Sequence, residues 1–130
     1  MNAYEQLPQP PSPRRSLVSI RRPSVLLVGI EPGEEQAKPD LESLAIRSFR
    51  VRYALQACVR MHVLRPEVIL VGTSVQPWAM ARVLYAAQEI KAAVMPRSHH
   101  LVGDRLLQWV LSTIDIVRQR RREDLEERAG

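Results

Sequence analysis

The chain has 130 residues, 45% of them hydrophobic, a single cysteine and a net charge of +5. That length and apolar content suit one domain with its own core and exclude a disordered chain, while the lone Cys58 excludes an internal disulfide framework. No apolar run approaches the ~20 residues needed to cross a bilayer, and no charged, apolar, small-residue order marks a secretory signal, so a cytoplasmic protein without a membrane span is expected.

Residues 1–23 carry four arginines against one glutamate, and the stretch LPQPPSPRRSLVSIRRPS, 7–24, holds five prolines and no periodic apolar face. The expectation is a Pro/Arg-rich flexible arm over 1–23. Most of the charge excess sits there, since 24–117 holds only +1 and 118–130 sets five arginines against four acids. An excess placed in a tail fits a solubilising arm better than a groove shaped for DNA.

From Ser24 the pattern alternates strand and helix. SVLLVGI is a near-continuous aliphatic run, as a central strand covered on both faces requires. After a loop with Pro32, Gly33 and Pro39, a short helix is expected from Asp40 to Arg47. SFRVRYA alternates, with Phe49, Val51 and Tyr53 on one side and Arg50 and Arg52 on the other, which reads as an edge strand. LQACVRMHVLR follows as a helix ended by Pro66, and EVILVG as a second buried strand. Thr73 and Ser74 are expected to cap a helix from Gln76 to Ile90 with Pro77 in its first turn. KAAVM is a short third buried strand, and a long helix begins at Asp104 and runs into a charged extension, 118–130. Such alternation calls for a parallel sheet with helices on both faces. The fold class expected is α/β, a small doubly wound, mostly parallel sheet of four to five strands with a long C-terminal helix, the domain proper spanning 24–117.

SVLLVGIEP resembles the opening of the receiver domain of bacterial response regulators, in which a hydrophobic strand ends in an acidic pair that binds magnesium. LRPEVILVGTSVQP is similar to that family's third strand, which ends in the phosphoacceptor aspartate, and VMPRSHHLVGDRLLQWV to the segment with a lysine before a proline. Carried over residue by residue, the acidic pair falls on Gly29 and Ile30, the phosphoacceptor on Gly72 and the lysine on Met95. The resemblance covers 24–117 and implies a shortened receiver, with one strand and one helix of the usual five pairs missing. It also implies a degenerate pocket of Gly29, Ile30, Glu31, Gly72, Thr73 and Met95 that takes no phosphoryl group. The chemistry agrees: aspartyl phosphorylation needs a carboxylate nucleophile and a magnesium ion held by hard oxygen ligands, and Glu31 alone remains.

Other constellations are bland. Cys58 and His62, four apart on one helix, read as core residues beside Leu55 and Val59 rather than as metal ligands with His99 and His100. GIEPGEE lacks the Lys and Ser/Thr of a phosphate loop. No acid, base and nucleophile converge, so no catalytic residue, cofactor or metal is expected.

Two helices carry surplus apolar surface. At 100° per residue, Ala79, Met80, Val83, Leu84, Ala87 and Ile90 make one broad face, leaving Trp78, Arg82, Tyr85 and Glu89 as a stripe towards water, where aromatics and arginine are the usual anchors of an interface. On the last helix Leu107, Val110, Ile114 and Val117 keep a 3-4-3 spacing, the seam of a short coiled coil. Leu107, Val110, Leu111 and Ile114 are therefore expected to pair two copies. The function expected is a non-catalytic pseudo-receiver acting as a protein interaction or scaffold module in bacterial signalling, a homodimer with a further protein partner. The alternative is a small basic regulatory protein that binds nucleic acid, weakly, through its Arg-rich termini.

Overall fold

Ser24–Val28 has aliphatic side chains at four consecutive positions after one small serine, and the strand it forms, β1, is buried at every position. It lies inside the sheet of the computed structural model, which describes residues 22–30, 41–96 and 103–129. The other strands are β2 (Arg47–Val51), β3 (Val68–Val71) and β4 (Ala93–Pro96), and the helices are α1 (Ala54–Leu64), α2 (Pro77–Glu89) and α3 (Gly103–Ala129). All strand pairs are parallel and the order is β2-β1-β3-β4. This is the flavodoxin-like order, without a fifth strand among the described residues, reversing direction between β1 and β3.

Strand alternation sorts the core into two layers. Leu26, Val28, Ile69 and Val71 point to one face, where Ala57 and Met61 of α1, Val83 of α2 and Ile90 just after it cover them. Val25, Leu27, Val68 and Leu70 point to the other, under Leu41, Ile46 and, from α3, Leu106, Val110 and Ile114. The expected α/β architecture with helices on both faces is therefore present. No helix among the described residues is long and apolar enough to cross a membrane.

Several local expectations need correction. Tyr53 does not continue β2; it is the extended residue that starts α1, and its ring lies in solvent. β2 is the edge strand expected, with Arg47 stacked over Phe49 at 4.9 Å. Of the helix expected over 40–47 only 41–43 are helical among the described residues, because Ala45 turns left-handed at φ 62 and Arg47 already pairs with β1. β4 is a half-buried edge strand rather than a buried one, a place where Pro96 removes no needed ladder donor. The flexible arm expected over 1–23 lies outside the described residues except for its last two, and Asp40, His99 and His100 lie outside them altogether.

The sheet takes a different side of α1 from the one the sequence suggests. Ala54, Ala57 and Met61 face inward, whereas Leu55, Val59, His62 and Val63 are exposed and Cys58 is half-buried. α1 carries two apolar stripes. The one with alanines lets its backbone approach the sheet and α2 together, and α2 likewise presents Ala79, Ala86 and Ala87.

α3 is 27 residues long, about 40 Å at 1.5 Å per residue, several times the ~13 Å of a four-residue strand. It passes Val117 without a break, so the charged segment continues the same helix, as expected. The overhang is anchored at the amino edge of the sheet. Glu67, 6% exposed, accepts from the Ser24 backbone N–H at 2.9 Å and from Arg118 Nε at 3.0 Å. One turn on, Arg121 donates to the carbonyls of Ile90, Arg65 and Pro66 at 2.9, 3.2 and 2.7 Å. It thereby gathers the negative ends of α1 and α2 on one guanidinium.

Candidate functional site

In an open parallel sheet the place for chemistry is the crevice at the carboxyl ends of the strands where the order reverses, here between β1 and β3. β1 ends in Gly29 and Ile30, and β3 in Gly72. The three residues that the receiver resemblance assigns to the magnesium pair and the phosphoacceptor do converge at this point. They converge as backbone. Gly29 turns left-handed at φ +60, a conformation that costs other residues about 1–2 kcal/mol. Its N–H reaches the Val51 carbonyl at 3.0 Å, and its own carbonyl accepts from Ser74 Oγ at 3.1 Å.

Gly72 donates to the Val28 carbonyl at 2.8 Å. A Cβ placed on it would run into the Gly29 carbonyl and stand 3.2 Å from Ile30 Cα. A Cβ on Gly29 would meet Val75 Cγ2 at 2.8 Å. The two strand ends are thus in main-chain contact, and the crevice is closed by the residue type that permits it.

The other pocket positions do not gather there. Met95 is buried on the α3 side of the sheet, in register with Leu70, and Thr73 is exposed in the turn after β3. Glu31 lies outside the described residues. Ser74 is not a helix cap as expected: Gln76 begins α2 without a side-chain cap, and the Ser74 hydroxyl ties the two strand ends together instead. Among the described residues no three His, Cys, Asp or Glu side chains are grouped to hold a metal ion.

Cys58 Sγ donates to the Arg82 carbonyl at 3.6 Å, and His62 Nε2 lies 3.5 Å from Glu89 Oε1, so both residues link α1 to α2 at the surface. Burial pushes the Cys58 thiol above its ordinary value, with the Arg82 cation opposing it. A raised value means less thiolate and slower attack on a disulfide reagent. At about pH 8 Cys58 is therefore expected to react more slowly than free cysteine, and to recover the free rate in denaturant. Equal rates in the folded protein would contradict this environment.

In front of the Gly29–Gly72 contact, at the carboxyl ends of β1 and β2, lies an open depression of about 790 Å³ lined in part by Gly29, Ser74 and Val75. Ile30, Arg52, Tyr53, Leu55, Gln76 and Trp78 line it. It leads onto the outer face of α1 and α2. There the stripe of Trp78, Arg82, Tyr85 and Glu89 is at the surface as expected, Trp78 being 61% and Tyr85 67% exposed. Leu55, Val59 and Val63 of α1 extend it, with Val59 70% exposed. The second apolar stripe on α1 was the signal that could have found these three residues.

The α3 seam is not a surface. Val110 and Ile114 are buried against the sheet, Leu107 packs partly on the same layer, and only Leu111, 44% exposed, faces out. The 3-4-3 spacing serves a helix lying on a sheet as well as it serves a coiled coil. With Val25, Leu27, Val68 and Leu70 to cover, α3 spends it on the core. No protein-family model, curated protein or solved structure matches the chain.

Proposed function

We propose that the chain is a non-catalytic, pseudo-receiver-like domain that acts in bacterial signalling or regulation by protein contact, independently of phosphorylation, through the outer face of α1 and α2. The observation that carries this reading is that face: two large aromatics, three aliphatic side chains and an arginine stand out from two helices whose other sides fill the core. Apolar surface gathered in this way marks an interaction site, and aromatic and arginine anchors beside a depression are the usual centre of one. The closed crevice supports the non-catalytic part. Glycines occupy the ends of β1 and β3, where a phosphotransfer site needs carboxylates, and at Gly72 the main chain of Gly29 leaves no room for one.

The test is affinity capture with the full chain as bait. Wild type and Leu111→Glu are expected to retain the same partners, and Trp78→Glu to lose them with its circular dichroism unchanged. Retention by all three baits would overturn the reading.

A further inference from the structure

We infer that the occupant of the α1–α2 face is a second copy of this chain, related by a two-fold axis that crosses α2 between Arg82 and Tyr85; this rests on the interaction reading above. Laid antiparallel on itself, the stripe sets Arg82 against the partner's Tyr85 and Trp78 against the partner's Glu89, and each pairing occurs twice. Both are favourable contacts. A guanidinium sits well on a tyrosine ring, and an indole N–H donates to a carboxylate.

The charge balance points the same way. Of the +5 each copy carries, +3 lies in residues 1–23, and the stripe itself is balanced. The stripe holds Arg82 and Glu89, one of each sign, and the two-fold places each beside a group that complements it.

Area is sufficient too. At their observed exposures Tyr53, Leu55, Val59, Val63, Trp78 and Tyr85 offer on the order of 800 Å², the contribution of each partner to a standard interface. A contact between unlike surfaces would leave one of each open and grow into a ring or a chain of copies. The isologous contact closes at two.

Light scattering and sedimentation of the full 130-residue chain from about 1 to 500 µM test this. The expected result is a wild-type dimer, Leu111→Glu indistinguishable from it, and Tyr85→Glu and Val59→Glu each weakened about 100-fold, as loss of a central anchor predicts. Circular dichroism shows which variants stay folded. With two substitutions on separate helices, one failing to fold leaves the other as the readout. A wild-type monomer at about 500 µM overturns the inference, as does a dimer that survives both substitutions or one that Leu111→Glu alone dissociates. A monomeric wild type that still captures partners through Trp78 overturns the second copy and leaves the proposed function standing.

Discussion

An aspartate at position 72 is expected to unfold the domain, not to arm it with a phosphoacceptor. The Cβ of any residue there strikes the Gly29 carbonyl and crowds Ile30 Cα. Overpacking costs about 1–3 kcal/mol when side chains can shift to absorb it, but here the obstacle is main chain. That main chain is pinned on both sides, by Gly72 N–H to the Val28 carbonyl and by Gly29 N–H to the Val51 carbonyl. Moving it disturbs Val28 and Val71, which are buried in the core directly behind. Aspartate adds a carboxylate in a buried position, where an unpaired charge costs several kcal/mol more. The sum exceeds about 5 kcal/mol, the lower end of what a domain of this size has in hand. Gly72→Ala isolates the steric part, and a loss near 3 kcal/mol in urea unfolding is expected for it. Incubation with a small phosphodonor and Mg²⁺, read by intact mass, should give no adduct on either wild type or Gly72→Asp. A folded Gly72→Asp protein with an unchanged melting temperature would show that the crevice is open.

Gly72 also shows where a sequence stops being informative. That carboxylates are missing from the ends of β1 and β3 is plain from VLLVGI and VILVG. That the glycines are there so two strand ends can touch depends on residues 43 positions apart, and no local pattern carries it. The central strands were legible because four consecutive aliphatic residues suit only a strand covered on both faces. The faces of α1 and α3 were not. α1 has two apolar stripes of similar quality, and the sheet chose the alanines, which turned Val59 from expected core into surface. On α3 the spacing of Val110 and Ile114 fits either a partner helix or a sheet, and the extent of the facing layer decided it. The Trp78–Tyr85 stripe was legible because α2 has one strongly apolar side, already filled by Ala79, Val83 and Ile90.

Removing Arg118 should cost more stability than its place on a charged, half-exposed helix suggests. Its partner Glu67 is almost wholly buried and makes three kinds of contact at once. The side chain accepts from the Ser24 N–H of β1 and from Arg118 of α3. The backbone N–H reaches the Ser24 carbonyl, and the backbone carbonyl receives Ala93 N–H of β4 at 3.0 Å. One residue therefore joins β1, β3, β4 and α3 at the amino edge of the sheet. Arg118→Met leaves the carboxylate in place without its cation, and breaking a buried pair from one side costs about 3–5 kcal/mol. The lower value applies because Arg118 is only partly buried, and it corresponds to a melting temperature lower by about 10–15 °C for a domain of this size. Glu67→Gln keeps one acceptor, for Ser24, but turns an amide N–H towards Arg118 Nε and so loses the charge-assisted bond too; about 1–3 kcal/mol is expected. The double variant should be less destabilised than the two losses added together, since no buried charge is then left alone. Arg121→Met tests the neighbouring anchor. It strips three carbonyls at the ends of α1 and α2 of their donor and should loosen the last two turns of α3 in hydrogen exchange before it lowers global stability. If Arg118→Met unfolds within about 0.5 kcal/mol of wild type, Glu67 is not held as the geometry requires, and the overhanging half of α3 is not anchored to the sheet through it.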